Sequence, residues 1–162
     1  MAQENVPTFS NEARATVQAL PAVVGAQAIA PNKLENQPVL VTFFASWCPP
    51  CRDEFKHLNE LQEKYSDTDL QIIAINVYEE WDDNDGPRME KFIQTTQPNF
   101  PVVVGSENIR DLFGGIVRIP TVYGFNRQGE LSYNFIHKRG SKHTNASLIE
   151  LENAAKTLLA QD

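Results

Sequence analysis

The segment Trp47-Cys48-Pro49-Pro50-Cys51 contains both cysteines of the chain and lies where a predicted strand gives way to a predicted helix. The strand is the run Val39-Leu40-Val41-Thr42-Phe43-Phe44-Ala45, which is almost continuously apolar. Such a run is typical of a strand that is covered on both faces, as in a parallel sheet. The helical pattern begins with Arg52-Asp53-Glu54-Phe55. Two cysteines at this spacing and in this place indicate dithiol redox chemistry.

Composition predicts one soluble globular domain. The chain has 162 residues, of which 41% are hydrophobic and 22% are charged, and its formal net charge is −7. This length suits a single domain with a sizeable core. The acidic balance argues against nucleic-acid binding, which needs a basic surface. No apolar run approaches the roughly 20 residues of a membrane-spanning helix.

The first residues, Met1-Ala2-Gln3-Glu4-Asn5, lack the basic start and apolar core of a signal peptide. The chain is therefore interpreted either as cytosolic or as the mature part of a longer precursor. Cysteine usage does not decide between them, because both cysteines lie in one motif and none is left for structural disulfides.

The order of predicted elements is β-α-β-α-β-α-β-β-α within a domain at residues 21–162, preceded by an N-terminal extension at residues 1–20. Leu70–Val77 repeats the apolar pattern of the first strand, and the helical stretch between them completes a β-α-β unit. A turn at residues 126–129 makes the last two strands an antiparallel hairpin. We expect a helix from Pro87 to about Thr96. A final helix is expected to start near Thr144 or Asn145, either of which can cap it.

Three local features carry weaker predictions. Residues 11–20 form either a short helix or a frayed tail. Residues 21–30 suggest a short hairpin. Residues 79–85 carry five carboxylates, but the EF-hand pattern is not met because its final Glu ligand is missing. A solvated loop is therefore predicted there in preference to a calcium site.

Cys48 is predicted to be the attacking thiol. The attacking species is a thiolate, and the partial positive charge and unpaired N–H groups of a helix N-terminus stabilise an anion. Cys48 lies at that end, so we expect it to be exposed, with Trp47 shielding one side. Cys51 lies one turn further along the helix, from which it can reach the Cys48 sulfur and resolve a mixed disulfide. No external cofactor is needed, because the dithiol carries the electrons.

Pro49 and Pro50 set the backbone for helix initiation but supply no N–H group. Two donors to a Cys48 thiolate are therefore missing, and its pKa should be lowered less than another pair of residues would allow. This favours a reductant over a strong oxidant.

Glu54 is the next candidate. On a helical wheel at about 100° per residue, its side chain falls within the apolar arc that contains Cys51, Phe55 and Leu58. A buried carboxylate has a raised pKa and can exchange a proton with a neighbouring thiol. The alternative is a position at the helix edge, in contact with water.

A metal-binding module is the alternative from a different functional class. Cys48, Cys51 and two of the histidines His57, His137 and His143 could in principle bind zinc. The spacing gives no support, because no second paired motif follows.

The segment Phe43–Phe55 resembles the active-site segment of thioredoxin-like proteins, and in particular the TlpA/ResA/CcmG branch of extracytoplasmic thiol:disulfide oxidoreductases. Phe44-Ala45-Ser46-Trp47-Cys48 is similar to the lead-in of that branch, and Glu54 matches its acidic residue three places after the second cysteine. Ile75–Val77 resembles its strand end, and residues 87–104 correspond to its inserted helix and strand. Ile119-Pro120-Thr121 is similar to its cis-proline segment.

The resemblance implies an α/β thioredoxin fold, in which a central mixed sheet carries helices on both faces. It implies that Pro120 follows a cis peptide bond beside the cysteines, and that Ile119 offers backbone groups to a substrate. It further implies disulfide-containing protein substrates, a membrane thiol reductase that regenerates the dithiol, and a periplasmic or other extracytoplasmic location for a mature or truncated domain. Contact with the membrane is expected only through an N-terminal anchor outside this sequence. A monomer is expected. The alternatives are a cytosolic general reductase, or a disulfide oxidase or isomerase.

Overall fold

A computed structural model of the chain describes residues 6–79, 85–106 and 108–161. The elements follow in the order α1 Asn11–Gln18, β1 Val39–Phe44, α2 Pro49–Tyr65, β2 Gln71–Asn76, α3 Asp85–Thr96, β3 Val102–Val104, α4 Ile109–Leu112, β4 Thr121–Phe125, β5 Leu131–Ile136 and α5 Leu148–Ala160.

The five strands form one mixed sheet in the order β3-β2-β1-β4-β5. Strands β1, β2 and β3 are parallel, whereas β4 is antiparallel to β1 and β5 is antiparallel to β4. All six residues of β1 are buried, because it is the central strand and both of its faces are covered. The mixed sheet that the resemblance implied is therefore confirmed.

Side chains of β1 alternate between two cores, as the period of a strand requires. Leu40 and Phe44 face helices α2, α3 and α5. Val41 and Phe43 face α1 and α4. Helices thus lie on both faces of the sheet, and the thioredoxin-like α/β fold follows.

The N-terminal helix α1 is packed against the domain. Its N-cap Ser10 accepts a hydrogen bond from the Ala13 N–H, and Phe9 stacks on Phe125 at 5.2 Å between ring centroids. Arg14, only 5% exposed, donates to four backbone carbonyls, those of Leu34, Gln37, Asn126 and Arg127. The frayed tail considered for this segment is wrong, because these contacts hold it in the second core.

Two local predictions need correction. Residues 21–30 do not form a hairpin, since they run along the outer edge of β3: the Val23 N–H donates to Val102 O, and the Val102 N–H donates to Gln27 O. The last helix starts at Leu148 and not near Thr144 or Asn145. Its N-cap is Ser147, because Ser147 and Glu150 form a reciprocal capping box that satisfies two N–H groups at once.

Candidate active site

The two cysteines form a disulfide at the junction of β1 and α2. Cys48 is the N-cap of α2, with extended backbone angles (φ −102°, ψ 104°), and the two prolines occupy the first two helical positions. The Cys51 N–H donates to Cys48 Sγ at 3.3 Å. The prolines start the helix as predicted. Because a proline has no backbone N–H, the N–H that contacts the Cys48 sulfur is that of Cys51.

Cys48 is far less exposed than predicted. It is 5% exposed, and Cys51 is fully buried. Cys48 is the more exposed of the two cysteines, as expected. It lines a groove of about 260 Å³ together with Trp47, Pro49 and Ile119. Cys51 does not line it, so access to the disulfide is through Cys48.

Trp47 is fixed beside the cysteines by its indole Nε1–H, which donates to the carbonyl of Tyr78 at 2.9 Å. Ile119 lines the same groove, and the Ile119–Pro120 peptide bond is cis, as the resemblance implied. Because Thr121 pairs with Phe43 in the sheet, this loop lies at the end of β1 from which the cysteines follow. The roles of Trp47, Ile119 and Pro120 in substrate binding stay predictions.

Glu54 is completely buried, so its placement at a solvated helix edge is wrong. Thr42 Oγ1 donates to its Oε1 at 2.5 Å, and the Ala146 N–H donates to its Oε2 at 3.2 Å. Burial raises the pKa of Glu54 to about 7, and these two hydrogen bonds limit the rise. Near neutral pH this carboxyl can therefore either take up or give up a proton, one helical turn from Cys51.

Glu79 is a residue whose position the sequence did not indicate. It was assigned to a solvated acidic loop, yet it is half-buried and its carboxylate accepts from the Ser46 N–H at 3.0 Å, from the Ser46 hydroxyl and from Asn76 Nδ2 at 2.7 Å. Because Glu79 follows β2, its carboxylate connects the end of that strand to Ser46, the residue that precedes Trp47. The remainder of that acidic run, residues 80–84, lies outside the described residues.

The histidines do not converge on the cysteines as zinc ligands would. His57 Nδ1 lies 3.0 Å from Ala146 O, and His143 Nε2 lies 2.6 Å from Glu150 Oε1. His137 Nδ1 lies 3.1 Å from Ile119 O, next to the cis bond. Within the described ranges, no group of three or more His, Cys, Asp and Glu side chains is placed to hold a metal ion. The two sulfurs that the zinc alternative needs are bonded to each other.

The sequence is similar to a known protein family and to known thiol-disulfide oxidoreductases. The family model described as "AhpC/TSA family" matches residues 3–134. The thiol-disulfide oxidoreductase ResA of Halalkalibacterium halodurans is 30% identical over 103 residues, which cover 62% of this chain and 54% of that protein. The sporulation thiol-disulfide oxidoreductase A of Bacillus subtilis is 27% identical over 101 residues, with 62% and 59% covered. The chain thus spans little more than half the length of these curated relatives.

A solved structure shares the fold over nearly the whole chain. It is the thiol:disulfide interchange protein of Chlorobium tepidum, a thioredoxin family protein, at a TM-score of 0.69 and 23% identity, with 98% of this chain and 99% of that chain covered. The resemblance to the ResA branch of thioredoxin-like proteins is confirmed by these relatives. The chain belongs to the AhpC/TSA family.

Proposed function

We propose that this protein is a thiol:disulfide oxidoreductase that reduces protein disulfides outside the cytoplasm, in the manner of the cytochrome c maturation reductants. The observation that carries the proposal is the Cys48–Cys51 disulfide at the start of α2, with the buried carboxyl of Glu54 one turn deeper. The names of the curated relatives support the same chemistry.

The reaction starts from the reduced protein. The Cys48 thiolate attacks one sulfur of a substrate disulfide, the substrate S–S bond breaks, and a mixed disulfide forms while the other substrate sulfur leaves as a thiolate. Cys51 then loses its proton to Glu54 and attacks Cys48 Sγ. The mixed disulfide breaks, and the two protein thiols have become one disulfide while the substrate disulfide has become two thiols. The protons of the two protein thiols end on the substrate sulfurs.

In this proposal the groove walls, the cis-proline loop and the dithiol each have a separate role. Trp47 and Ile119 both line the groove that leads to Cys48. The substrate backbone pairs with Ile119 beside Pro120, as an added strand pairs with a sheet edge. The dithiol is the only electron carrier required, and a membrane thiol reductase returns two electrons to it after each cycle.

The proposed location is extracytoplasmic. It rests on the resemblance to the ResA branch of extracytoplasmic oxidoreductases. Among the described residues, no helix has the length and apolar composition to cross a membrane. A cytosolic general reductase and a disulfide oxidase or isomerase would use the same chemistry. The reduction potential of the cysteine pair separates a reductant from an oxidant.

The reduction potential of the Cys48/Cys51 pair is obtained by equilibration with dithiothreitol or glutathione and followed by Trp47 fluorescence. A value near or below about −270 mV supports a dedicated reductant, whereas a value near about −120 mV identifies an oxidant. Cys51→Ser should accumulate mixed disulfides with substrate, and Cys48→Ser should not. Full turnover in either variant contradicts the mechanism.

A further inference from the structure

Among the described residues, the charged side chains that line the two grooves beside the disulfide are all basic, although the chain as a whole is acidic. Two grooves meet there, and both are lined by Trp47 and Pro49, which therefore form the ridge between them. The first groove contains Cys48, Arg118 and His137, and the second contains Arg52, Arg88 and Lys91. No Asp or Glu is found among the described residues that line either groove.

A basic segment continues this surface. His137 lies on the wall of the first groove and begins the sequence His137-Lys138-Arg139-Gly140-Ser141-Lys142-His143, which contains no acidic residue. Lys138, Arg139 and Lys142 are all exposed. The segment is tied to the cis-proline loop because the His137 N–H donates to Pro120 O at 3.1 Å. Its charges are therefore held beside the groove that leads to Cys48.

The same groove also has an apolar wall. Val117 is 76% exposed and lies next to Arg118 and Ile119 in sequence, and all three line the groove. A substrate segment that enters it meets apolar side chains close to the sulfur and cations around them. The carboxylate of Glu79, which lies beside Ser46 of the second groove, is engaged by Ser46 and Asn76.

We propose that this surface selects protein substrates that carry Asp or Glu on both sides of the disulfide cysteine that Cys48 attacks. The inference rests on the proposed function and names its substrate class. With a formal net charge of −7, most of the chain repels an acidic partner at long range. The basic side chains of these grooves attract it instead, so charge both accelerates the encounter and orients the partner towards Cys48.

The test uses the reduced protein and three disulfide-looped peptides that differ only in the residues beside the cysteines: Glu, Gln or Lys. At an ionic strength of about 0.01 M, we expect the second-order rate constant to fall in the order Glu, Gln, Lys, with about a tenfold spread. At about 1 M the spread should collapse, because the screening length falls to roughly 3 Å.

Variants assign the effect to this surface. Arg118→Gln and the double variant Lys138→Gln with Arg139→Gln should each reduce the ratio of the Glu to the Lys rate. Lys33→Gln is the matched control. It removes the same charge from an exposed residue that precedes β1, at the end of the strand opposite to the cysteines, and its rate ratio should equal that of the unchanged protein.

The uncharged bis(2-hydroxyethyl) disulfide separates the two proposals. If the protein reduces it but reacts equally with the three peptides, the charge selection is overturned and the proposed function stands. If the protein fails to reduce any of these disulfides, the proposed function fails and the selection with it. Equal peptide rates together with co-sedimentation on phosphatidylglycerol vesicles would assign the cations to a lipid surface and would also overturn the proposal.

Discussion

Thr42 Oγ1 donates a hydrogen bond of 2.5 Å to Glu54 Oε1, and both side chains are inaccessible to solvent. The central strand therefore supplies a polar partner to a carboxyl on the helix packed above it. A buried carboxylate without partners is strongly disfavoured, so this contact partly sets how readily Glu54 gives up its proton.

Replacing Thr42 with Val should raise the pKa of Glu54 above about 7, since the hydroxyl that favours the ionised form is removed at nearly constant shape. The carboxyl pKa can be followed by NMR titration of the oxidised protein. Thr96→Val is a suitable control, because its hydroxyl donates to Phe92 O within α3 and not to Glu54. An unchanged Glu54 pKa in Thr42→Val would show that burial and the Ala146 N–H determine it without the Thr42 hydroxyl.

Glu54→Gln should alter the pH dependence of stability. The pKa of Glu54 is raised from 4.5 to about 7 on folding, so the folded state binds this proton more tightly than the unfolded chain. The free energy of unfolding of the oxidised protein should therefore decrease as pH rises from about 4.5 to about 7, by roughly 3 kcal/mol in total. Urea unfolding from pH 5 to pH 8 measures it.

In Glu54→Gln this decrease should disappear, because the amide does not titrate. The exposed Glu60→Gln on the same helix should retain it. A Glu54→Gln profile with the original slope would mean that another group causes the pH dependence. In the reduced protein, the same variant should shift the pH profile of thiol alkylation.

Pro50→Ala should make the disulfide easier to reduce. Pro50 occupies the second helical position, from which a backbone N–H can donate to an N-cap side chain. The new amide would join that of Cys51 in stabilising a Cys48 thiolate, so the reduced form gains stability and the reduction potential rises, by about 30 mV for a bond worth about 1.4 kcal/mol.

Pro49→Ala is the matched control for this change. The first helical position does not direct its N–H at the N-cap side chain, so only one of the two donors counted as missing, that of Pro50, bears on Cys48. The potential should therefore move much less in Pro49→Ala. Equal shifts in the two variants would show that backbone flexibility, and not the added donor, is responsible.

Glu79→Ala should loosen the segment before the cysteines. The Ser46 N–H and the Asn76 side chain lose their acceptor, which should cost about 1–3 kcal/mol of unfolding free energy. Trp47 follows Ser46 directly, so its fluorescence should shift to the red and its anisotropy should fall. The exposed Glu63→Ala should change neither; unaltered fluorescence in Glu79→Ala would show that the Trp47–Tyr78 bond holds the loop without Glu79.

The parts of the fold that sequence patterns predicted are those with one strong local signal. Val39–Phe44 is apolar throughout and is the fully buried central strand, and the helical period correctly placed Glu54 on the inner face of α2. Thr42 could have been found in the same way, as the polar residue within that apolar run. The start of α5 was missed because Thr144 and Asn145 are as good caps locally as Ser147, and only the reciprocal bond with Glu150 distinguishes them.

Contacts between residues distant in sequence explain the other differences between the predictions and the structure. Glu79 stands in a run of carboxylates, and nothing in the run distinguishes the member that reaches Ser46 across the sheet end. Cys48 shares its groove with Ile119, which is distant in sequence. The cis bond before Pro120 followed from the resemblance alone, since few X–Pro bonds in folded proteins are cis.

The chain segment that runs along β3 has a consequence for self-association. Its hydrogen bonds with Val102 and Val104 occupy the outer edge of that strand. At the other end of the sheet, no backbone hydrogen bond from elsewhere in the described residues reaches β5. An unpaired edge is a template for another strand. Two copies that joined through their β5 edges would leave only blocked edges facing outwards, so such pairing would end at two molecules and could not grow into a filament.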